Sequence, residues 1–210
     1  MQAPPAGGEP THDDRHGSNR DDRWLAGTGD GTDPDRHVHV VVLGLPGVGT
    51  STVGRLLANR LQRPYVDHDS IVGLGRDRAP DASDDDRDAD LDALRRVLAA
   101  HGSVVYGAGG HVAERARPED LAGAYVVWLD AAPDVIADRI GRRVHPVLGP
   151  DPRRALSEMD ATLAPKARAM CDLQISVDDD GPDEAAEQIR RAWRRHVDEL
   201  AGGAEQGRAS

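Results

Sequence analysis

Gly44-Leu45-Pro46-Gly47-Val48-Gly49-Thr50-Ser51-Thr52 is the stretch on which the fold of this chain turns. It fits the phosphate-binding pattern G-x-x-x-x-G-K-[ST] at every fixed position but one, where Thr50 stands in place of the lysine. An apolar run over residues 38–43 feeds the loop, and a helix-period stretch over 51–61 leaves it, with Val53, Leu56, Leu57 and Leu61 on one face. Strand, glycine turn and helix start are the context that gives the pattern its meaning. Backbone N–H groups there point at a bound anion, and Ser51 can offer its hydroxyl to Mg²⁺. Thr50 carries no ammonium to reach the outer phosphates, and the sole lysine, Lys166, lies far away in sequence.

Outward from the loop, strand-like and helix-like segments alternate, which implies an α/β fold with a short parallel sheet covered on both faces. Strands are expected over 37–43, 64–66, 103–106, 124–129 and 173–177, and helices over 51–61, 88–100, 118–122, 133–139, 152–170 and 183–200. Residues 79–90 (APDASDDDRDAD) read as a solvated acidic loop inside the domain. Residues 1–36 hold too little apolar surface to offset ordering entropy and are expected to be a disordered tail. The folded domain then covers 37–200, with 201–210 as a second tail.

The whole composition suits one domain with tails, at 210 residues. A net charge of −11 argues against a nucleic-acid surface, which would need a basic stripe. The single cysteine, Cys171, excludes an internal disulfide and suits a reducing compartment. With neither a membrane-length apolar run nor a signal-like N-terminus, a cytoplasmic protein is expected, with no membrane partner.

Several groups of residues together resemble one family. GLPGVGTSTVGRLLA, followed by Val66-Asp67-His68-Asp69, is similar to the start of shikimate kinase, a small P-loop kinase of the nucleoside-monophosphate-kinase type. The resemblance implies ATP and Mg²⁺ on Gly44, Gly47, Val48, Gly49, Thr50, Ser51 and Thr52. It also implies that Ser51 holds the metal, with Asp67 at its hydration shell, and that Asp69 binds the substrate hydroxyls. If the segment is extended, alternation puts Asp67 and Asp69 on one side. The family's F-R-x-x-E falls on Asp86-Arg87-Asp88-Ala89-Asp90, so Arg87 is its candidate grip on a substrate carboxylate. Its triple-glycine turn falls on Ala108-Gly109-Gly110, where the backbone would approach the substrate, with His111 just after. Its lid arginine is His145, with Arg139, Arg142 and Arg143 as nearby cations that could contribute charge. Its R-x-P-L-Y reads Leu163-Ala164-Pro165-Lys166-Ala167, and Lys166 is the candidate replacement for the lost arginine.

Thr50, Ala108, His145 and Leu163 thus depart from the family, and three of the four replace a cation. Phosphoryl transfer rests on positioning and electrostatic stabilisation, and one lost transition-state donor costs about 2.7–4 kcal/mol. Three classes of function stay open. The first is a small-molecule kinase with a rearranged site, acting on shikimate or a related carboxylated polyol. The second is a catalytically silent homologue that binds nucleotide or metabolite, or serves a protein partner. The third is a metal site built from Asp67, Asp69, His111 and His145.

Overall fold

A computed structural model describes residues 38–71, 84–100, 102–141, 147–178 and 181–208. Five strands form one parallel sheet in the order β2-β3-β1-β4-β5: β1 (His39–Gly44), β2 (Tyr65–Asp67), β3 (Val105–Gly109), β4 (Ala124–Asp130) and β5 (Leu173–Ser176). Strand β1 lies between β3 and β4, and every one of its residues is buried. That is why its sequence, HVVVLG, is an apolar run and not an alternation: both faces of a parallel strand are covered.

The helices are α1 (Thr50–Leu61), α2 (His68–Ile71), α3 (Asp84–Ala99), α4 (Gly110–Arg115), α5 (Pro133–Ile140), α6 (Pro152–Met170) and α7 (Pro182–Arg208). Helix α1 packs on α7 and β3, while α6 meets α4, α5 and β4. The core between these layers holds Trp128, Trp193, Tyr106, Leu43, Leu57 and Ile136, all buried. Among the described residues no helix is long and apolar enough to cross a membrane.

Helix α6 has the predicted bounds. Pro152 sits in its first turn, where a missing N–H costs nothing, and the Asp151 side chain accepts from Arg154 N at 3.2 Å. Four readings change. The acidic stretch is not all loop, since residues from Asp84 onward are helical and Asp90 is buried. Strand β2 ends at Asp67, and α2 starts with the next residue. Strand β3 runs through Gly107, Ala108 and Gly109, with Gly110 opening α4 directly. Helix α7 runs to Arg208, beyond residue 200 where the sequence pattern placed its end.

Candidate functional site

The sheet register brings the motif residues to one edge. Gly44, the last residue of β1, pairs with Gly109 on one side and Leu129 on the other. Asp67, the last of β2, pairs with Gly107. The loop, the carboxylate and the glycines therefore lie together at the carboxyl ends of the strands, where open α/β sheets take their ligands.

The loop itself is made by glycines in backbone regions closed to other residues. Gly47 has φ +85° and Gly49 has φ +111°, and Gly49 precedes the first residue of α1. A Cβ on Gly49 would meet no atom within 4 Å, so the space before the helix is open. A Cβ on Gly44 would lie 2.5 Å from Val48 Cγ1 and 3.3 Å from Thr50 Cγ2, so both side chains fold back onto the end of β1. This cradle fits a chain of phosphates: the space beside Gly49 is open, and Ser51 follows at the helix start.

Ser51 is connected to Asp67 through a residue the sequence had not singled out. The Tyr65 side chain lies against Gly54 and Gly107, since a Cβ on Gly54 would run into its ring and one on Gly107 into its hydroxyl. Its hydroxyl is hydrogen-bonded with Ser51 and lies 3.4 Å from Asp67 Oδ2. Burial, with Asp67 adding to it, pushes the Tyr65 phenol up to about 12 against the opposing effects of Ser51 and Arg55. Arg55 Nη2 donates to the same Asp67 Oδ2 at 3.2 Å, and its guanidinium lies 5.1 Å from the Tyr65 ring centre. A serine hydroxyl beside a carboxylate is a donor set suited to Mg²⁺.

Asp69 belongs to α2, so it does not reach the site by strand alternation. It comes near Asp67 because the chain turns into a helix at once. Both carboxylates act on the same phenol: Tyr106 is shifted upward by burial first and then by Asp90, Asp69 and Asp67. Between the two aspartates, His68 points inward and is fully buried. Its Nδ1 is hydrogen-bonded with the Tyr106 hydroxyl, and its Nε2 lies 3.3 Å from Asp90 Oδ1. Thus Asp90, where the resemblance would put a glutamate, faces a histidine. Residue 87 is on α3, but the Arg87 side chain lies outside the described residues.

The glycine end differs from expectation. Gly109 has φ −80° and Gly110 lacks a positive φ, so this is a strand running into a helix and not a turn of unusual dihedrals. Close approach does hold: a Cβ on Gly110 would stand 2.9 Å from Leu163 Cδ1 and 3.8 Å from Met159 Cε. Leu163 is 6% exposed. Where the resemblance would put a guanidinium, an apolar side chain covers the glycine. Lys166 does not compensate there, because its Nζ donates to the carbonyl of Glu114, near the opposite end of α4. Arg139, expected near phosphate, donates instead to the carbonyls of Val177 and Asp178. Arg142, Arg143 and His145 lie outside the described residues, as does the side chain of His111. Among the described residues no three His, Cys, Asp or Glu side chains group as metal ligands.

A glycine loop between a buried parallel strand and a helix, with a serine and a carboxylate beside it, defines the P-loop class of small phosphotransferases. The family described as shikimate kinase matches residues 46–194. The chain belongs to the shikimate kinase family. It is 34% identical over 152 residues to a shikimate kinase of Symbiobacterium thermophilum, covering 67% of this chain and 87% of that one. It is 30% identical over 158 residues to a shikimate kinase of Thermobifida fusca, covering 72% and 92%. The fold is shared with a shikimate kinase from Acinetobacter baumannii in complex with shikimate, at TM-score 0.62, 23% identity and coverage of 72% and 90%. It is likewise shared with a gluconokinase from Sinorhizobium meliloti 1021, at TM-score 0.60, 23% identity and coverage of 79% and 97%.

Proposed function

We propose that the chain is an ATP-dependent kinase that transfers a phosphoryl group to a hydroxyl of shikimate or a related small carboxylated polyol. The observation that carries this reading is the convergence of the Gly44–Ser51 loop, Asp67 and Asp69 at one end of the sheet in a member of this family. In this reading the amides of Gly47, Val48, Gly49, Thr50, Ser51 and Thr52 orient the nucleotide phosphates. Ser51 and Asp67 would hold Mg²⁺, which when bound neutralises phosphate charge. Asp69 accepts a hydrogen bond from the acceptor hydroxyl, orients it and takes its proton as the oxygen attacks. Arg87 pairs with an anionic group of the acceptor, and Gly109 and Gly110 form a wall of backbone beside it.

A second reading, a homologue that binds nucleotide or metabolite without turnover, is favoured by one specific feature. Leu163 covers Gly110 and Lys166 is drawn to Glu114, so the described part of the glycine end offers a carboxylate an apolar surface. One experiment separates the two: shikimate-dependent ADP release from MgATP, with Asp69→Ala as the control. Turnover above that control supports the kinase. Binding of MgADP without turnover supports the silent homologue, and neither binding nor turnover overturns the kinase and the nucleotide-binding form of the second reading, leaving metabolite binding alone.

A further inference from the structure

Whatever occupies the loop, Thr50 brings it no charge, and a phosphate chain in a cradle of amides still calls for a cation. Of the cations expected to supply it, the two whose side chains are described are engaged elsewhere. Arg139 is held on the carbonyls of Val177 and Asp178, and Lys166 on that of Glu114. On α1, Arg60 pairs with Asp183 and Glu187, at the face packed on α7.

Arg55 is placed differently. It lies four residues after Ser51, so the two share a face of α1, and helical side chains lean toward the N-terminus. Its guanidinium therefore reaches back toward the loop. There it meets Asp67 Oδ2, the atom also approached by the Tyr65 hydroxyl, which in turn bonds with Ser51. The arginine side chain is 60% exposed, so its charge is open to a ligand in the loop. Of the five N–H donors of a guanidinium, the pairing with Asp67 uses one, and the Tyr65 ring supports the plane of the group.

We propose that Arg55 is a nucleotide-binding residue which supplies to the outer phosphates the positive charge that Thr50 cannot. This rests on the reading of the loop as a nucleotide site. Asp67 and Tyr65 hold the guanidinium in place before the ligand arrives, and the planar fork then grips phosphate oxygens with donors that Asp67 leaves uncommitted. The charge comes from one turn into the helix instead of from its first residue.

The test is calorimetric titration of the full chain with the magnesium complex of a non-hydrolysable ATP analogue and, separately, with AMP. The variants are Arg55→Gln, Arg55→Lys, Thr50→Lys and the double variant Thr50→Lys/Arg55→Gln, each checked for unchanged circular dichroism. The expected result is a loss of about tenfold or more in analogue affinity for Arg55→Gln, with AMP affinity unchanged. Arg55→Lys should recover part of it, and Thr50→Lys should restore binding in the Arg55→Gln background. Equal analogue affinity in Arg55→Gln and the natural sequence would overturn the proposal. So would a natural chain that fails to bind while Thr50→Lys binds, an outcome that leaves the nucleotide site standing. If neither binds, the nucleotide reading fails and takes this inference with it.

Discussion

The loop end of the site and its glycine end lie side by side on one sheet edge, yet they are built differently. The loop end, between β1, α1 and β2, is shaped by two glycines with positive φ and by polar side chains joined through Tyr65. The glycine end, between β3, α4 and α6, is closed by Leu163 and Met159 over Gly110. A cradle made of backbone amides keeps its shape when one side chain is exchanged. A pocket lined by side chains changes its chemistry with each substitution. The departures that the resemblance implies at Thr50 and at Leu163 would therefore have unequal weight: the first would remove a charge from an intact frame, and the second would replace the lining itself.

The difference can be broken experimentally. Leu163→Ala removes a buried side chain opposite a residue that has none, and should cost about 2–5 kcal/mol in a urea unfolding curve while leaving MgADP affinity unchanged. If stability did not fall, the glycine end would not be packed as described. Gly47→Ala acts in the reverse sense. It forces a Cβ into φ +85° and to 2.7 Å from Ile140 Cδ1, for a cost of roughly 1–3 kcal/mol, and should abolish measurable MgADP binding. Retained binding would mean that the loop conformation is not what holds the nucleotide.

Smaller effects sharpen the same contrast. Tyr65→Phe keeps the ring between Gly54 and Gly107 but removes the hydroxyl joining Ser51 to Asp67, a loss of about 0.5–1.5 kcal/mol by thermal melting. Smallest is a pH effect on the far side of α1. Hydrogen bonds from Arg190, and then Arg191, hold the half-buried Glu187 carboxyl at about 2, below its ordinary 4.5. A folded-state value below the unfolded one adds stability that is fully present above 4.5 and fades as the pH falls toward 2. Glu187→Gln should flatten the melting temperature slightly across that window, with nucleotide affinity unaltered at pH 7.

The sequence made one of these ends far more legible than the other. The loop could be read because its glycines, its serine and its flanking strand and helix are contiguous, and α6 because Asp151 and Pro152 mark its start. Helices α2 and α4 were missed: they span four and six residues, too short for an apolar period to register. The start of α3 was hidden by its acidic run, which looks like a solvated loop until Asp90 is seen buried against His68. The contacts of Arg55 with Asp67, and of His68 with Tyr106, join residues 12 and 38 apart, and follow only from which strand lies beside which. Arg55 could have been suspected from its spacing to Ser51, a single turn along the same helix face.

The pairing of Asp67 with Gly107 and of Gly44 with Gly109 also makes the sheet a ruler for the chemistry. Its graduations are one residue, about 3.3 Å, and successive marks face opposite sides. Misplacement of β3 therefore cannot be gradual. A slip of one graduation would turn Tyr106 away from His68 and carry Gly107 out from under Tyr65, dismantling both polar clusters together. Small disturbances leave such a ruler unread, whereas the first full step erases the measurement.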